Sequence, residues 1–187
     1  MERLKTLETF ILHRNKFESL SKVSFMTSRM KSLRYLDMSS NLLRNSRAEG
    51  RCQWADSLAE LDLSSNQLTE AVFECLPANI NKVDLQNNQI ANVPKGITEL
   101  HSLQELNLAS NRLADLPGCR AFTGLEILNI ERNLILTPSA DFFETCPSVK
   151  ELQAGQNPFK CSCELQDFLR LERQSGGKLS GWPEAYV

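Results

Sequence analysis

Residues Leu103 to Leu113 read Leu-Gln-Glu-Leu-Asn-Leu-Ala-Ser-Asn-Arg-Leu, and this stretch decides the fold. Leucine occupies its first, fourth, sixth and eleventh positions, and asparagine occupies the ninth. The same pattern, with other apolar residues at some leucine positions, occurs seven times in the 187 residues. The asparagines recur every 22 to 26 residues, a period typical of repeat architectures, and they are Asn15, Asn41, Asn66, Asn88, Asn111, Asn133 and Asn157.

This period predicts an α/β fold, a leucine-rich repeat solenoid of about seven repeats over residues 1–157. In each repeat a short strand points alternate apolar residues inward, and parallel strands stacked about 4.8 Å apart bury them in one continuous core. The asparagine comes where the chain leaves the strand, so its amide is expected to satisfy backbone groups of adjacent turns. We therefore interpret the asparagines as a structural ladder rather than as catalytic or ligand-binding residues.

The return half of each repeat is expected on the convex side of a curved sheet, as loops and short helices. Pro94 and Pro117 mark turns there, and the apolar residues expected to face inward are Val93, Ile97, Leu100, Leu116 and Phe122. The two longest repeats, which end near Ser32 and Ser57, are expected to bulge furthest or to carry the most helix.

A cysteine-containing cap follows the last repeat. Cys161 and Cys163 form a C-x-C motif, and an amphipathic helix is expected over residues 164–173. Its apolar face would cover the end of the solenoid and consists of Leu165, Phe168, Leu169 and Leu171. Such motifs normally bond to two later cysteines, and none follows, so residues 158–187 are predicted to be a truncated C-terminal capping module. Its thiols are either free or lack their partners, and zinc is disfavoured because no nearby Cys or His adds two ligands.

The other four cysteines form two sets, for which the sequence gives different predictions. Cys52 and Cys75 lie 23 residues apart, about one repeat, so a disulfide between adjacent turns is expected. It would stabilise the fold by about 3 kcal/mol through loop closure, and the alternative is two buried reduced thiols. Cys119 and Cys146 occupy different places in their repeats, so we expect them to be buried and unpaired.

Composition and motifs argue against several function classes. The net charge is −2 and no dense Lys/Arg run occurs, which disfavours nucleic acid and anionic membrane surfaces as direct partners. Motifs for a nucleophile elbow, a phosphate-binding loop or a zinc protease are missing. His13 and His101 are isolated in the sequence. We therefore expect no enzyme activity, no cofactor and no metal site.

One column of residues on the concave face carries acids. The position between the two inner apolar residues reads Ile11, Asp37, Asp62, Asp84, Asn107, Asn129 and Gln153. Three aspartates stacked about 5 Å apart would repel one another and could attract a cation or a basic partner. The favoured interpretation is the solvated surface of a common repeat consensus. Trp54 and Trp182 are expected to pack in the disulfide loop and the cap rather than to hold a ligand.

Irregular segments of the sequence resemble the Toll-like receptors. These segments depart from the repeat pattern and are therefore more specific than it, and they are residues 30–33, 52–54, 115–119, 138–143, 157–165 and 181–186. The resemblance covers most of the chain and is strongest to the receptor one and six type within the lipopeptide-sensing branch. It implies part of the ectodomain of an innate immune receptor, a single-pass type I protein on the extracellular face of the plasma membrane.

The resemblance also implies partners. The receptor is expected to dimerise, with a receptor-two type as the other chain, and the full ectodomain rather than this segment alone binds microbial lipopeptide. The acyl-chain pocket of such receptors lies before these repeats, so no lipid-binding residue is assigned. The membrane is reached only through a transmembrane helix that this sequence lacks. The alternative is an extracellular adhesion or matrix scaffold, which would share the repeats and the cap but not the irregular segments.

The start of the chain suggests an excised part of a longer protein, because the cysteines indicate export and no signal sequence precedes them. Leu7, Phe10 and Leu12 would then begin the stack without a cap. An uncovered strand edge invites aggregation or pairing with another chain, so we predict a poorly behaved monomer.

Overall fold

Seven three-residue strands form one parallel sheet in chain order. The computed structural model describes residues 6–45, 52–94, 100–139, 141–160 and 165–186, with the backbone alone for residues 165–168 and 185. The strands are β1 Thr9–Ile11, β2 Tyr35–Asp37, β3 Glu60–Asp62, β4 Lys82–Asp84, β5 Glu105–Asn107, β6 Ile127–Asn129 and β7 Glu151–Gln153. The predicted leucine-rich repeat solenoid is confirmed.

The middle residue of each strand faces the core. Every strand pairs with the next in an unshifted register, so that Leu36 stands beside Leu61 and Leu106 beside Leu128. These side chains join the other consensus positions, such as Leu103, in a single buried cluster that runs through the stack. Each repeat buries its apolar residues mainly against its two neighbours, as expected for a quasi-one-dimensional fold.

The ladder asparagines bind the backbone of two repeats at once. The Asn111 amide nitrogen donates to the carbonyl oxygens of Leu108 at 3.1 Å and Ala109 at 3.2 Å in its own repeat, and of Leu85 at 2.9 Å in the preceding one. Its oxygen accepts from the Ile90 N–H at 3.0 Å. The same four bonds recur at Asn41, Asn66, Asn88, Asn133 and Asn157.

Asn15, in the first repeat, differs from the other six. It is exposed, and its amide donates to the carbonyl oxygens of Leu12 at 2.9 Å and His13 at 3.1 Å in its own repeat. Both bonds are local. Asn15 thus holds a turn, whereas the buried members hold one repeat to the next.

The residue before each ladder asparagine is left-handed. All seven have φ between 53° and 57° and none is glycine; they are Arg14, Ser40, Ser65, Asn87, Ser110, Arg132 and Gln156. This conformation costs roughly 1–2 kcal/mol for an L-residue. The cost is offset because the turn brings the asparagine amide inward to its backbone partners. The periodicity of the sequence did not predict this feature.

Short helices and turns form the convex side. α1 spans Leu20–Thr27, and the Ser19 hydroxyl caps it by accepting from the Lys22 N–H at 3.3 Å. α2 spans Phe142–Thr145, and a 3₁₀ helix spans Glu70–Cys75. The long first repeat thus carries helix as expected, while part of the second lies outside the described residues. Of the convex apolar residues expected to face inward, Leu100 and Phe122 are buried, Val93 and Leu116 are half-buried, and Ile97 lies outside the description.

The C-terminal residues close the stack. α3 spans Leu165–Ser175, near the expected range, and buries Leu171. The expectation that Leu169 belongs to the apolar face is wrong: Leu169 is 37% exposed, whereas the helix turns Leu171 and Ser175, one turn apart, inward, where both are buried. Leu152 of β7 exchanges backbone hydrogen bonds with residues on either side of Leu179. The side chains of Leu165 and Phe168 lie outside the description.

An aromatic cluster packs this closing segment onto the last repeat. The Phe159 and Tyr186 rings stack with centroids 6.0 Å apart, and Trp182 meets Tyr186 edge to face at 5.4 Å. The Tyr186 hydroxyl accepts from the Ala154 N–H at 3.0 Å. Trp182 therefore packs in the cap, as expected. In the described part of the chain, no helix has the length and apolarity needed to cross a membrane.

We predict that replacing a buried ladder asparagine weakens the fold far more than replacing the exposed one. Asn111→Ala leaves four buried backbone groups without partners and should lower the free energy of unfolding by at least about 3 kcal/mol. Asn15→Ala removes only exposed local bonds and should cost less than about 1 kcal/mol. Urea unfolding of the two variants beside the parent chain measures both. Equal losses would contradict the assignment of the ladder as the link between repeats.

Candidate recognition surface

The acidic column lies on the concave face, and most of its side chains hold the backbone turn that follows each strand. One side-chain oxygen of each member accepts the N–H two residues further on, at 2.8–3.0 Å, in Asp37, Asp62, Asp84, Asn107 and Asn129. Gln153 instead donates to Glu151 at 2.8 Å, and Ile11 is exposed. Aspartate and asparagine both accept this bond, which explains why they interchange along the column.

The second carboxylate oxygens of the column meet different partners. Asp37 Oδ2 lies 3.1 Å from His13 Nδ1, whereas Asp84 Oδ2 accepts from the Asn107 amide at 3.1 Å. Burial raises the pKa of Asp84, and the N–H of Gln86 only partly opposes it, with the charge of Asp62 adding to the rise. Burial also acts on Asp37, but hydrogen bonds from Ser39 and His13 outweigh it and lower its pKa. The column is therefore not a uniform row of charges.

The two histidines, which are isolated in the sequence, each contact a side chain of the next repeat. His13 pairs with Asp37, and His101 Nδ1 lies 3.0 Å from the Thr123 hydroxyl. Each contact joins neighbouring repeats, which counting residues within one repeat could not reveal. Among the described residues, no three His, Cys, Asp or Glu side chains come together in a group that could hold a metal ion.

Cys52 and Cys75 are joined by a disulfide across adjacent repeats. Their Cα atoms lie 5.2 Å apart and both residues are half-buried. The Trp54 indole N–H donates to the carbonyl oxygen of Cys75. Trp54 thus packs against the disulfide loop, and the bond ties the end of one repeat to the end of the 3₁₀ helix in the next. Cys161 and Cys163 lie outside the described residues.

A second disulfide joins Cys119 and Cys146, so the expectation that both are unpaired is wrong. Their Cα atoms are also 5.2 Å apart, and the residues are only 6% and 0% exposed. Cys119 begins a turn closed by the Phe122 N–H, whereas Cys146 ends α2. The chain takes a different number of residues to cross the convex side in these two repeats. Two cysteines at different positions of the repeat pattern can therefore lie next to each other there.

The seven parallel strands and the asparagine ladder together define the class of protein, a leucine-rich repeat solenoid. The family models described as Leucine Rich Repeat and Leucine Rich repeats (2 copies) match residues 57–78 and 101–142. A solved structure, the leucine-rich repeat domain of APL1B, superposes with a TM-score of 0.61 at 20% identity, over 81% of this chain and 41% of that one. At this identity the likeness concerns the fold alone.

Comparison with curated proteins identifies the family. Toll-like receptor 6 of Bos taurus is 52% identical over 99% of this chain and 24% of its own length. Toll-like receptor 10 of Bos taurus is 51% identical over 99% of the chain and 22% of its own length, and Toll-like receptor 1 of Homo sapiens is 46% identical over 98% and 23%. The chain belongs to the Toll-like receptor family, and it spans about a quarter of the length of these relatives.

The second disulfide can be tested chemically. Mass spectrometry of non-reduced proteolytic peptides from exported protein should find a cross-link between Cys119 and Cys146 as well as between Cys52 and Cys75. Replacing Cys119 and Cys146 together by alanine should cost about 3–4 kcal/mol of stability from loop closure. The matched variant lacking Cys52 and Cys75, which encloses a loop of similar length, should lose a similar amount. Free thiols at Cys119 and Cys146 in folded protein would refute the pairing.

Asp84→Asn and Asp37→Asn should change stability in opposite directions. A raised folded pKa means that the Asp84 carboxylate opposes folding at neutral pH, so Asp84→Asn should raise the free energy of unfolding there. This gain should vanish as the pH falls below the ordinary Asp value of 3.8. The lowered pKa of Asp37 contributes stability above 3.8 that is lost as the pH falls through the folded value. Asp37→Asn should therefore destabilise at neutral pH, and urea unfolding across the pH range would show whether the signs differ.

Proposed function

We propose that this chain is part of the extracellular recognition scaffold of an innate immune receptor and works by binding rather than by catalysis. In this proposal the whole receptor senses microbial lipopeptide as a dimer with a receptor-two type chain, and lipopeptide binds to the full ectodomain. The observation that carries the proposal is the 46–52% identity to Toll-like receptors 1, 6 and 10 over nearly the entire chain.

The rigidity of the solenoid supports a role in recognition. Six ladder asparagines bind each repeat to the one before it, and two disulfides join adjacent repeats elsewhere. Side chains on the concave and lateral faces are therefore held in fixed relative positions. Preorganised surfaces lose less entropy when a partner binds. We assign residues 1–157 to the repeats and 158–187 to a capping module.

The two disulfides support a place on the extracellular face of the plasma membrane. Disulfides form and persist in oxidising compartments and are rare in the cytosol, and both described pairs have Cα atoms 5.2 Å apart, within the ordinary range for this bond. In this proposal the membrane anchor is supplied by another part of the receptor.

A matrix or adhesion scaffold remains the second candidate from sequence, and no contact in the described residues favours it. The close relatives named above are receptors by name. Recognition as part of a receptor is therefore the function we propose.

A chimeric receptor tests this function. The chain would replace its matching stretch in human Toll-like receptor 1, in cells that lack the endogenous receptor and express a receptor-two type partner. We expect the chimera to reach the cell surface and to retain most of the parent's reporter response to microbial lipopeptide. The expectation rests on a matched fold with matching surfaces, which should preserve the geometry of the dimer.

The control replaces the same stretch with the corresponding repeats of APL1B, which share the fold at 20% identity. That receptor should be displayed but respond poorly, because the scaffold is kept while the surface is not. If the first chimera is displayed and silent, the proposed function is wrong. If the APL1B chimera responds fully, this stretch is only a spacer and contributes no recognition.

A further inference from the structure

A strip of residues runs along one side of the solenoid, where the chain leaves each concave strand. The first and third residues after each ladder asparagine lie on this strip, and backbone hydrogen bonds fix their neighbours. The Leu134 N–H donates to Leu113 at 2.9 Å, which places Leu134 between Arg112 and Ala114 of the preceding repeat. The Lys160 N–H donates to Leu136 at 2.9 Å, which places those two residues side by side.

Six residues of this strip form a surface that we call the lateral patch: Arg112, Ala114, Leu134, Leu136, Pro158 and Lys160. Its centre is apolar and open to solvent, because the Leu134 and Leu136 side chains are 55% and 43% exposed. All six residues are exposed. No other described segment of the chain covers these six residues.

The fold does not require leucine at these positions. In other repeats the first position after the asparagine is leucine once, at Leu42, and otherwise polar or charged: Lys16, Gln67, Gln89 and Arg112. The third position is Glu18, Arg44, Thr69, Ala91 or Ala114, so only Leu134 and Leu136 place leucine at both positions of one repeat. The backbone bonds are the same whatever the side chain, since the Arg112 N–H donates to Ile90 just as the Leu134 N–H donates to Leu113. Two neighbouring exposed leucines bordered by polar and charged residues form a small apolar surface that another molecule can cover.

Cations stand at opposite corners of the lateral patch. Arg112 belongs to the repeat before the two leucines and Lys160 to the repeat after them, and Lys160 lies two residues further along its repeat. Two strand spacings and this offset put their backbones about 12 Å apart. The patch itself contains no acid. Within the described residues, neither cation forms an ion pair. The surface therefore combines an apolar centre with a positive charge at each end that no described acidic side chain pairs with.

We propose that the lateral patch docks an amphipathic helix of a partner protein that carries acidic residues at both ends of an apolar contact. Acids at helix positions i and i+7 are about 10.5 Å apart, close to the separation of Arg112 and Lys160. Apolar residues at i+3 and i+4 lie between them on the same face and meet Leu134 and Leu136. The inference goes beyond the proposed receptor function and does not depend on it.

A protein helix fits this surface better than an anionic membrane does. Lipid-binding surfaces use clusters of roughly four to eight basic residues, and the lateral patch has two. Its two leucines also lie in a single repeat, so the apolar contact is small. Charge complementarity at two defined points favours one partner segment in one register.

The test uses the 187-residue chain and a labelled helical peptide with Glu at i and i+7 and Leu at i+3 and i+4. Fluorescence anisotropy should show saturable binding about tenfold tighter than for the same peptide with Lys in place of both Glu. Arg112→Glu with Lys160→Glu should reverse this preference. Leu134→Ser with Leu136→Ser should weaken the acidic peptide by about tenfold, because two apolar contacts are lost.

The matched control is Lys16→Ser with Glu18→Ser, two exposed residues at the same two places in the first repeat, and it should leave binding unchanged. All the substituted side chains are at the surface, so urea unfolding should confirm that each variant keeps the parent's stability. The proposal is overturned by absence of saturable binding at millimolar peptide, by equal binding of both peptides, or by binding that ignores the charge reversal. Binding of phosphatidylserine vesicles, or self-association, that is lost in the Leu134→Ser, Leu136→Ser variant while the peptide does not bind would also overturn it.

Discussion

One hydrogen-bonding constraint governs the whole chain: the backbone groups at the turn after each strand are buried and need partners. The amide of a single asparagine supplies them, donating within its own repeat and to the repeat before it, as Asn111 does to Leu108 and Leu85. Because buried unpaired polar groups cost about 1–3 kcal/mol each, a shift in register would be expensive at every rung. The unshifted pairing of all seven strands follows from this requirement.

The same constraint separates residues that specify the fold from residues that are free to vary. Positions that face inward are restricted to apolar side chains, and the ladder is restricted to asparagine. The outward position between the inner residues needs only an acceptor for the N–H two residues on, which Asp84 and Asn107 provide equally. The strip beside the strands needs no particular side chain at all. Differences among repeats therefore accumulate on the concave and lateral faces, where a partner can contact them.

Sequence periodicity revealed the strands and the asparagine ladder because both recur at a nearly constant spacing. It predicted the core positions, the strand order and the helix in the long first repeat. It missed the left-handed residues before the asparagines, because arginine and glutamine, found at Arg132 and Gln156, are not residue types that usually mark this conformation. It also missed the Cys119–Cys146 disulfide and misplaced Leu169. Both errors concern the convex side or the cap, where position is set by how α2 and α3 pack and not by a repeating hydrogen bond.

The disulfides lie on the far side of the solenoid, away from the asparagine ladder. The asparagines pin the edge of each repeat next to the concave sheet, whereas the far side consists of loops and short helices of unequal length. Cys52–Cys75 and Cys119–Cys146 each span about one repeat, with separations of 23 and 27 residues, and each therefore fastens neighbouring repeats on that far side. Hydrogen bonds on one side and covalent bonds on the other restrict bending between repeats. The lateral faces are held in place by both, which makes them suitable for contacts that depend on spacing over two or more repeats.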